Sequence, residues 1–599
     1  MPITPVTTPD RVHNNIGFRN FFEKTPPAYA DLTHELDGLS LDGIDEESPT
    51  AQNRAGARAI NSEQQLASAF ECFMKAAVQG KASAQNSVGV LYREGKGVAQ
   101  SYSTAQEWFL KAAEQGHAVA QYNLGVMFQR GEGVSKDHQQ AAEWFLKAAK
   151  QGNASAQNRM GVLYQRGQGL PQDHQQAAEW YLKAADQGHA SAQSSIGLMY
   201  QRGQGVPQDY QQAVDWYLMA AHREDAAAQC NLGLMYQRGY GVPQDYQQAA
   251  EWYLKAAHKG DAAAQCNVGL IYRRGQGVAL DYQKAMGWYL KAAVQGHIVA
   301  QCNIGVMYQR GNGVPVDYQT AVEWYSKAAH QGDAAAQCNL GLMYQHGKGV
   351  PEDIQKAREW YLKAAQQDYA VAQYNIGLMH QRGSGVPEDN QMALEWYLKA
   401  ANQGHIVAQC NLGVLYQYGH GVPVDYQKAM EWYMKAANQG DSTAQYNVGL
   451  MYRRGEGVSQ DYHQAREWYL KAANQGHAVA QCNIGAMYRH GNGVAEDCLK
   501  AMDWYRKAAD QGDAVAQCNI GEMYRRGLGV PRDYQQAAQW YLKAAKRGNA
   551  AAQYSIGVFY QRGDGVPLDY RQAAEWLNKA AMQGDTNAQR KLQELPREH

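Results

Sequence analysis

Apolar side chains recur along this chain at the three- and four-residue intervals of a helix face. In one stretch, Ala264, Val268 and Ile271 have this spacing, which predicts an amphipathic helix. A Gly-x-Gly-Val loop follows, and a second apolar face then begins with Ala285 and Trp288. The pattern therefore predicts two antiparallel helices joined by a short loop.

Polar residues and glycine mark the ends of the second helix. Asp281 stands where this helix needs an N-cap, and Asp occupies the same position in 13 of 14 copies of the pattern. Gly296 follows the last turn, where a left-handed C′ residue is common. Glu224 and Asp368 replace this glycine in two copies, and we expect backbone strain there.

The helix pair repeats every 36 residues without insertion or deletion. All 14 tryptophans of the 599-residue chain follow this period, and 55 of the 60 glycines fall in four columns of the same register. A single pair cannot bury its apolar face, so neighbouring pairs must stack. The predicted boundaries are 1–60 for a separate N-terminal segment, 61–80 and 585–599 for capping half-repeats, and 81–584 for fourteen repeats.

Composition excludes several classes of protein. With 45% hydrophobic residues the chain is globular, and its net charge of −1 gives no overall basic field for nucleic acid. No apolar run approaches the ~18 residues of a membrane helix, and the first residues lack the apolar core of a signal peptide. We therefore expect no nucleic-acid partner, no stable membrane insertion and a cytoplasmic location.

The repeat resembles the Sel1-like repeat, a relative of the tetratricopeptide repeat, through the pattern A-x-A-Q-x-x-[LIV]-G-x-x-Y-x-x-G-x-G-V-P-x-D-x-x-x-A-x-x-W-x-x-K-A-A-x-x-G. The resemblance covers residues 81–584 continuously. It implies an all-α fold, an α/α superhelical solenoid whose first helices line a concave surface. It also implies a scaffold or adaptor that mediates protein–protein interactions in signalling, protein quality control or cell-wall regulation.

Motifs for catalysis are absent from the sequence. It contains no Gly-x-Ser-x-Gly and no Ser followed by Lys at the third position, and its loops lack a dinucleotide or P-loop motif. We therefore expect neither enzymatic activity nor a cofactor. Two alternatives remain open through the resemblance. One is a ligand-binding or β-lactamase-like hydrolase activity, attributed to bacterial cysteine-rich relatives, and the other is an activator subunit of a membrane enzyme.

Seven of the nine cysteines occupy one column of the first helix. Equivalent positions in adjacent repeats are roughly 8–10 Å or more apart, one helix-packing distance. That separation is too large for a disulfide and for ligands of one metal ion. We therefore expect reduced, semi-buried thiols and no metal site. The column is Cys230, Cys266, Cys302, Cys338, Cys410, Cys482 and Cys518.

The asparagine after this column is the main candidate for partner binding. By resemblance to tetratricopeptide arrays it faces the groove, where an amide can donate to and accept from the backbone of an extended peptide. The alternative is that each amide bonds the neighbouring helix and only fixes repeat geometry. The candidates are Asn231, Asn267, Asn303, Asn339, Asn375, Asn411, Asn447 and Asn483.

Arginine ends the first helix in ten repeats, and Arg310 and Arg382 are candidates for partner binding. A row of such arginines would suit acidic peptides. The alternative is a cation that only stabilises a helix C-terminus.

One region departs from the repeat between residues 354 and 390. Ile354 and Asn390 replace the loop tyrosine, and His380 replaces a tyrosine of the first helix. We take His380 as a candidate binding residue in a partner-specific pocket. A change of curvature and plain sequence drift are the alternatives.

Two residue types have a structural interpretation. Trp-Tyr pairs on the second helix have core spacing, so we expect packing between repeats rather than stacking on a ligand. Five histidines stand where Asp or Asn otherwise begins the first helix, and we expect a capping or solvent-exposed role. They are His117, His189, His297, His405 and His477.

The segment 1–60 differs in composition from the repeats. Residues 31–47 contain seven acidic residues, no Lys or Arg, and five interleaved Leu or Ile residues. This composition is typical of disorder. The segment is predicted to be a linker, a linear motif or an N-terminal lid on the first helices.

Overall fold

The computed structural model describes residues 63–595, and this part of the chain folds into α-helices without a strand. The all-α prediction is confirmed. The acidic N-terminal segment predicted from the sequence lies outside the described residues.

Thirty helices alternate between two types in the described part of the chain. We call the first helix of each repeat an A helix and the second a B helix. The B helices are α1 (Glu63–Val78), α3 (Tyr102–Glu114), α5 (His138–Lys150), α7 (His174–Asp186), α9 (Tyr210–His222), α11 (Tyr246–His258), α13 (Tyr282–Val294), α15 (Tyr318–His330), α17 (Ile354–Ala365), α19 (Asn390–Asn402), α21 (Tyr426–Asn438), α23 (Tyr462–Asn474), α25 (Cys498–Asp510), α27 (Tyr534–Lys546) and α29 (Tyr570–Met582). The A helices are α2 (Ala82–Glu94), α4 (Ala118–Arg130), α6 (Ala154–Arg166), α8 (Ala190–Arg202), α10 (Ala226–Arg238), α12 (Ala262–Arg274), α14 (Ile298–Arg310), α16 (Ala334–Gln345), α18 (Ala370–Arg382), α20 (Ile406–Tyr418), α22 (Ser442–Arg454), α24 (Ala478–His490), α26 (Ala514–Arg526), α28 (Ala550–Arg562) and the short α30 (Thr586–Gln593).

The caps explain where each helix begins and ends. The Asp281 side chain accepts a hydrogen bond of 2.9 Å from the Lys284 N–H at the start of α13. Gly311 ends α14 with φ 71°, and its N–H donates to the Met307 carbonyl. Gly296, after α13, has φ 84°. These contacts satisfy backbone groups that a helix end leaves unpaired, and they confirm the predicted N-cap and left-handed glycine.

Two non-glycine residues adopt the left-handed conformation, as the sequence predicted. Glu224 has φ 64° and Asp368 has φ 58°. Lys259 stabilises the conformation of Glu224, because its ammonium donates to the Glu224 carbonyl at 2.5 Å and lies 3.4 Å from the Glu224 carboxylate. Gln373 donates to Asp368 Oδ1 at 3.3 Å. These contacts oppose the strain, which costs about 1–2 kcal/mol for a residue with a Cβ.

A fully buried tyrosine of the B helix forms the centre of eleven repeats, and Phe109, Phe145 and Leu577 take its place in the other three. The Tyr325 side chain is 0% exposed, and its hydroxyl donates to Gln309 Oε1 at 2.6 Å. The tyrosine ring lies against Gly305, where an added Cβ would approach it to 2.6 Å. A side chain at this glycine would therefore separate the two helices.

The tryptophans contribute to packing between repeats. Trp324 is half-buried and packs on the hydrophobic cluster of the preceding helices α12–α14. The Lys327 ammonium lies 4.3 Å from the centroid of the Trp324 ring, a cation–π contact. Packing between repeats is confirmed for the tryptophans. The fully buried residue, however, is the one that follows each tryptophan, a tyrosine in eleven of the fourteen repeats.

The described chain divides into two compact units. The first runs to Ala264 and includes Gln276–Val278, and the second comprises Gln265–Gly275 and the residues from Ala279 onward. The first unit contains α1–α11, and the second contains α13–α30. The lone helices α1 and α30 stand where the sequence predicts capping half-repeats, and their capping role stays a prediction.

Candidate binding surface of the A helices

The outward face of each A helix is formed by four columns of residues. In α14 they are Val299, Asn303, Val306 and Arg310, separated by four, three and four residues, which places them on one face. The first three are half-buried and Arg310 is exposed. We call this face, with its aliphatic, amide and guanidinium groups, the A surface.

The eight candidate asparagines lie on the A surface but are not fully open to solvent. Asn231 is buried, with 7% of its surface exposed. The other seven are half-buried: Asn267, Asn303, Asn339, Asn375, Asn411, Asn447 and Asn483.

Several of these amides contact the preceding A helix. Asn375 donates to Cys338 Sγ at 3.6 Å, and Asn303 donates to Cys266 Sγ at 4.0 Å. The Asn303 oxygen also accepts a hydrogen bond of 3.5 Å from Arg273. Asn339 lies near the Cys302 thiol and opposes the rise of its pKa.

Tyrosine takes the place of cysteine in two of these contacts. Asn411 lies near the Tyr374 hydroxyl, and Asn483 lies near the Tyr446 hydroxyl. The contacts to cysteine and tyrosine support the structural alternative for the asparagines. They also leave capacity for a ligand, since an amide group can take part in four hydrogen bonds.

Six of the seven thiols beside this column are buried, Cys518 is half-buried, and all seven are free. Burial raises the pKa of Cys266 and of Cys338 to about 12, although Asn303 and Asn375 oppose the rise through hydrogen bonds. A thiol with so high a pKa is a poor nucleophile and a poor metal ligand. All nine cysteines are free, and residues 63–595 contain no cluster of three or more His, Cys, Asp or Glu side chains that could hold a metal ion.

The A helices carry a net positive charge. The fourteen A helices α2–α28 contain sixteen arginines, no lysine and only two carboxylates, Glu94 and Glu522. Arg310 and Arg382 are exposed at the last positions of their helices. These positions suit a cation at a helix C-terminus and equally place the guanidinium groups along one edge of the A surface. The net charge of −1 for the whole chain gave no sign of this excess of arginines over carboxylates on the A helices.

His380 lies in the region between residues 354 and 390 that departs from the repeat pattern. It is half-buried, and its Nδ1 atom is buried without a hydrogen-bond partner in the structure. Burial lowers the pKa of His380, opposed by the nearby Asp389 carboxylate. Ile354 packs against Gly385 and belongs, with Tyr369, to the hydrophobic cluster around Tyr361. The structure thus brings Ile354 and Tyr369 into one cluster, and the partner-specific pocket stays a prediction.

The five histidines at the start of A helices act as N-caps, which confirms the predicted capping role. In each, Nδ1 accepts the N–H of the third following residue; for His405 this is Ala408, at 3.2 Å. The His405 ring also stacks on Tyr374 of the preceding A helix, with centroids 4.8 Å apart. Burial lowers the pKa of His405 to about 4.

Two features of the A helices were missed in the sequence. The first is a buried glutamine in each of the A helices α2–α28, such as Gln301, which donates to the Ala293 carbonyl of the preceding B helix. Its invariant place in the 36-residue pattern was the available signal.

The second missed feature is Glu522, a carboxylate in an otherwise aliphatic column. It accepts hydrogen bonds of 2.7 Å from Arg525 and from the Tyr541 hydroxyl, and it also pairs with Arg526. Burial acts to raise the pKa of Glu522, but these partners outweigh it and lower the pKa to about 2. The arginines therefore already neutralise this carboxylate within the fold.

None of the helices between residues 63 and 595 combines the length and apolar character that a membrane crossing requires.

Among solved structures, the chain is similar to that of a protective antigen present in uropathogenic Escherichia coli strains, which displays an SLR fold. The identity is 37% over 76% of this chain and 98% of that chain, with a TM-score of 0.54. A Sel1 repeat protein from Oxalobacter formigenes is 35% identical over 54% of this chain and 92% of that chain, with a TM-score of 0.42. A comparison with curated proteins finds no match.

The family model of the Sel1 repeat matches fourteen consecutive segments, which begin at residue 82 and end at residue 585. Each segment holds one A helix and the B helix that follows it. The match agrees with the repeating helix pairs of the structure and with the resemblance seen in the sequence. The chain belongs to the Sel1 repeat family.

Proposed function

We propose that this chain is a scaffold or adaptor that binds extended segments of protein partners on its A surface. The observation that carries the proposal is the composition of that surface. Aliphatic, amide and guanidinium groups recur on it in the same order in most repeats, and its helices carry sixteen arginines against two carboxylates. Such a surface offers apolar contact, backbone hydrogen bonds and carboxylate recognition to one ligand.

The repeat spacing suits an extended chain. Neighbouring A helices lie about 10 Å apart, and an extended chain advances about 3.3 Å per residue. Every third residue of a bound segment would therefore meet an equivalent set of columns. Arg310 and Arg382 would pair with carboxylates, and Asn303, Asn339 and Asn411 would bond the peptide backbone.

The proposed role is non-enzymatic and needs no cofactor. The buried, reduced thiols support a reducing compartment, for which we propose the cytoplasm. Roles in signalling, protein quality control or cell-wall regulation follow only from the resemblance to Sel1 proteins. The partners are proteins in this proposal, without nucleic acid and without stable membrane insertion.

The test compares two triple variants of the full chain in partner capture. Changing Asn303, Asn339 and Asn411 to Ala removes amides from the A surface. The matched control changes Asn402, Asn438 and Asn474 to Ala, three exposed asparagines at the ends of B helices. Because Asn303 also bonds the preceding A helix, hydrogen exchange must show that both variants stay folded. We expect partner capture to fall with the first variant alone. Equal partner capture by both folded variants would show that these asparagines are not part of the binding site.

A further inference from the structure

Four consecutive A helices in the first unit carry arginine and no carboxylate. Helices α4, α6, α8 and α10 end in exposed arginines, and α6 has a further arginine, half-buried, in the asparagine column. These residues are Arg130, Arg166, Arg202, Arg238 and Arg159. We call the outward face of these four helices the basic row.

Aliphatic side chains accompany the arginines of the basic row. Val162, Leu198 and Leu234 are half-buried and lie four residues before Arg166, Arg202 and Arg238, respectively. Residues four apart share a helix face, so each repeat presents an aliphatic group beside a guanidinium group. The ligand that fits this row alternates apolar and acidic residues.

The carboxylates nearest to the row in sequence are engaged in the fold. Asp173 and Asp209 cap the following B helices and accept backbone N–H groups at 2.9 Å. Glu132 pairs with Arg130 at 3.3 Å in a solvent-exposed contact, a type of pair that exchanges readily with other carboxylates. Arg166, Arg202 and Arg238 also make contacts within the fold, and each guanidinium has five N–H donors with which to bind more than one partner.

One segment of this chain has the complementary composition. Residues 31–47, outside the described residues, contain seven acidic residues and no basic lysine or arginine. Leu32, Leu36, Leu39, Leu41 and Ile44 alternate with the acids. We infer that residues 31–47 bind in cis to the basic row and compete there with segments of other proteins. This inference rests on the proposed function, because it assigns an internal competitor to the same kind of surface.

The connecting chain is long compared with the spacing between repeats. Fifteen residues separate Glu47 from Glu63, the first residue of α1, and they can span about 50 Å. The row from Arg130 to Arg238 covers three steps between repeats, about 30 Å, which is less than the reach of a 17-residue extended segment. Tethering at this length also raises the local concentration of the segment into the millimolar range, so weak contacts suffice.

The test is photo-crosslinking within the full chain. Leu39 is replaced by p-benzoylphenylalanine, and Val6, which lies outside the acidic segment, is replaced likewise in a control chain. We expect crosslinks from position 39 to map to α4, α6, α8 and α10, and crosslinks from position 6 not to map there. Crosslinks from position 39 that map to B helices, or to no part of the repeats, would overturn the inference.

Charge variants test the role of the arginines. Changing Arg166, Arg202 and Arg238 to Gln is expected to lower the crosslink yield from position 39 by about tenfold, since three ion pairs are lost together. The matched control changes Arg310, Arg382 and Arg562 to Gln, three exposed arginines of the same column in the second unit. An equal loss in both variants would refute the placement on the basic row.

Three further outcomes separate this inference from its alternatives. In a mixture of isotope-labelled and unlabelled chains, we expect crosslinks within single chains; crosslinks between chains would assign the row to a second copy. We expect a short single-stranded RNA at physiological salt to leave the crosslinks unchanged; displacement would make the row a nucleic-acid site. If position 39 fails to crosslink while the A surface of the second unit still captures partners, only this inference fails and the proposed function stands.

Discussion

The side-chain amide of Gln331, just after the B helix α15, donates to the buried Gln301 Oε1 of the A helix α14 at 2.8 Å. Gln301 in turn donates to the Ala293 carbonyl of α13. The buried side-chain amide of Gln301 thus links three consecutive helices, because its oxygen accepts one of these hydrogen bonds and its NH₂ group donates the other. The same pair recurs along the chain, for example between Gln187 and Gln157 at 2.6 Å. Because an unpaired buried amide is costly, this contact favours one register of the helix pairs.

The buried glutamine keeps its acceptor contact where Arg223 replaces the second glutamine, since Arg223 donates to Gln193 Oε1 at 3.4 Å, but it loses this contact at another substituted position. Arg547 stands in place of the second glutamine, and Gln517 Oε1 is buried without a partner. We predict that Arg547→Gln stabilises α26 and α27 by about 1 kcal/mol and that Gln331→Ala destabilises α14 and α15 by about 1–3 kcal/mol. Hydrogen exchange measures both effects, since it reports local opening in a repeat array. The control Gln319→Ala, at an exposed position, should change the opening free energy by less than about 0.5 kcal/mol. No gain from Arg547→Gln would contradict the role given to this pair.

The two aromatic residues of the B helix should differ in their contribution to stability. Tyr325 is fully buried against Gly305, whereas Trp324 is half-buried beneath Lys327. We predict that Tyr325→Ala costs about 3–5 kcal/mol in the local opening free energy and that Trp324→Ala costs less. Tyr325→Phe should cost only about 1 kcal/mol, because it removes only the hydrogen bond to Gln309. The reverse order for the two alanine variants would show that the tryptophan forms the centre of the repeat.

The histidine N-caps predict a loss of stability in acid. The unfolded-state pKa of a histidine is about 6.5, and burial lowers the pKa of His405 to about 4. The folded state therefore binds fewer protons, and the stabilisation present above pH 6.5 is lost as the pH falls towards 4. Between pH 7.5 and pH 5 the histidine gains a proton in the unfolded state but stays mostly neutral in the folded state, where Nδ1 accepts the Ala408 N–H, so we expect α20 to lose about 2 kcal/mol over this interval.

A cap variant tests this pH dependence. Asn serves as the cap in another repeat at Asn549, so His405→Asn keeps the cap without the titration. Thermal unfolding of the two proteins at pH 7.5 and pH 5 measures the difference. We predict that the variant loses less stability than the natural chain over this interval. Equal losses would mean that the pKa of His405 does not differ between the folded and unfolded states.

The sequence predicted the fold because the same signals for helix ends and core positions recur in one repeat after another. Asp281 and Gly296 mark helix ends by local backbone chemistry, which does not depend on neighbouring repeats, and both roles are confirmed. Fourteen copies in one register also separate the core columns from variable positions.

Contacts between helices were harder to predict. The partners of Gln301 lie 8 and 30 residues away in sequence, and the compensation of Glu224 by Lys259 spans 35 residues. Such pairs depend on how neighbouring helices are placed, which helix periodicity does not give. The same reason explains why the contact of Asn375 with Cys338 could be proposed only as one of two alternatives.

The central claim is that the A surface binds segments of protein partners, and site-specific photo-crosslinking in cells tests it most directly. Leu342 is half-buried on the A surface of α16, and Leu290 is 38% exposed on the B helix α13. Each is replaced in turn by p-benzoylphenylalanine in the full chain. We predict covalent adducts with partner proteins from position 342 and none from position 290. Adducts from position 290 alone, or from neither position, would contradict the claim.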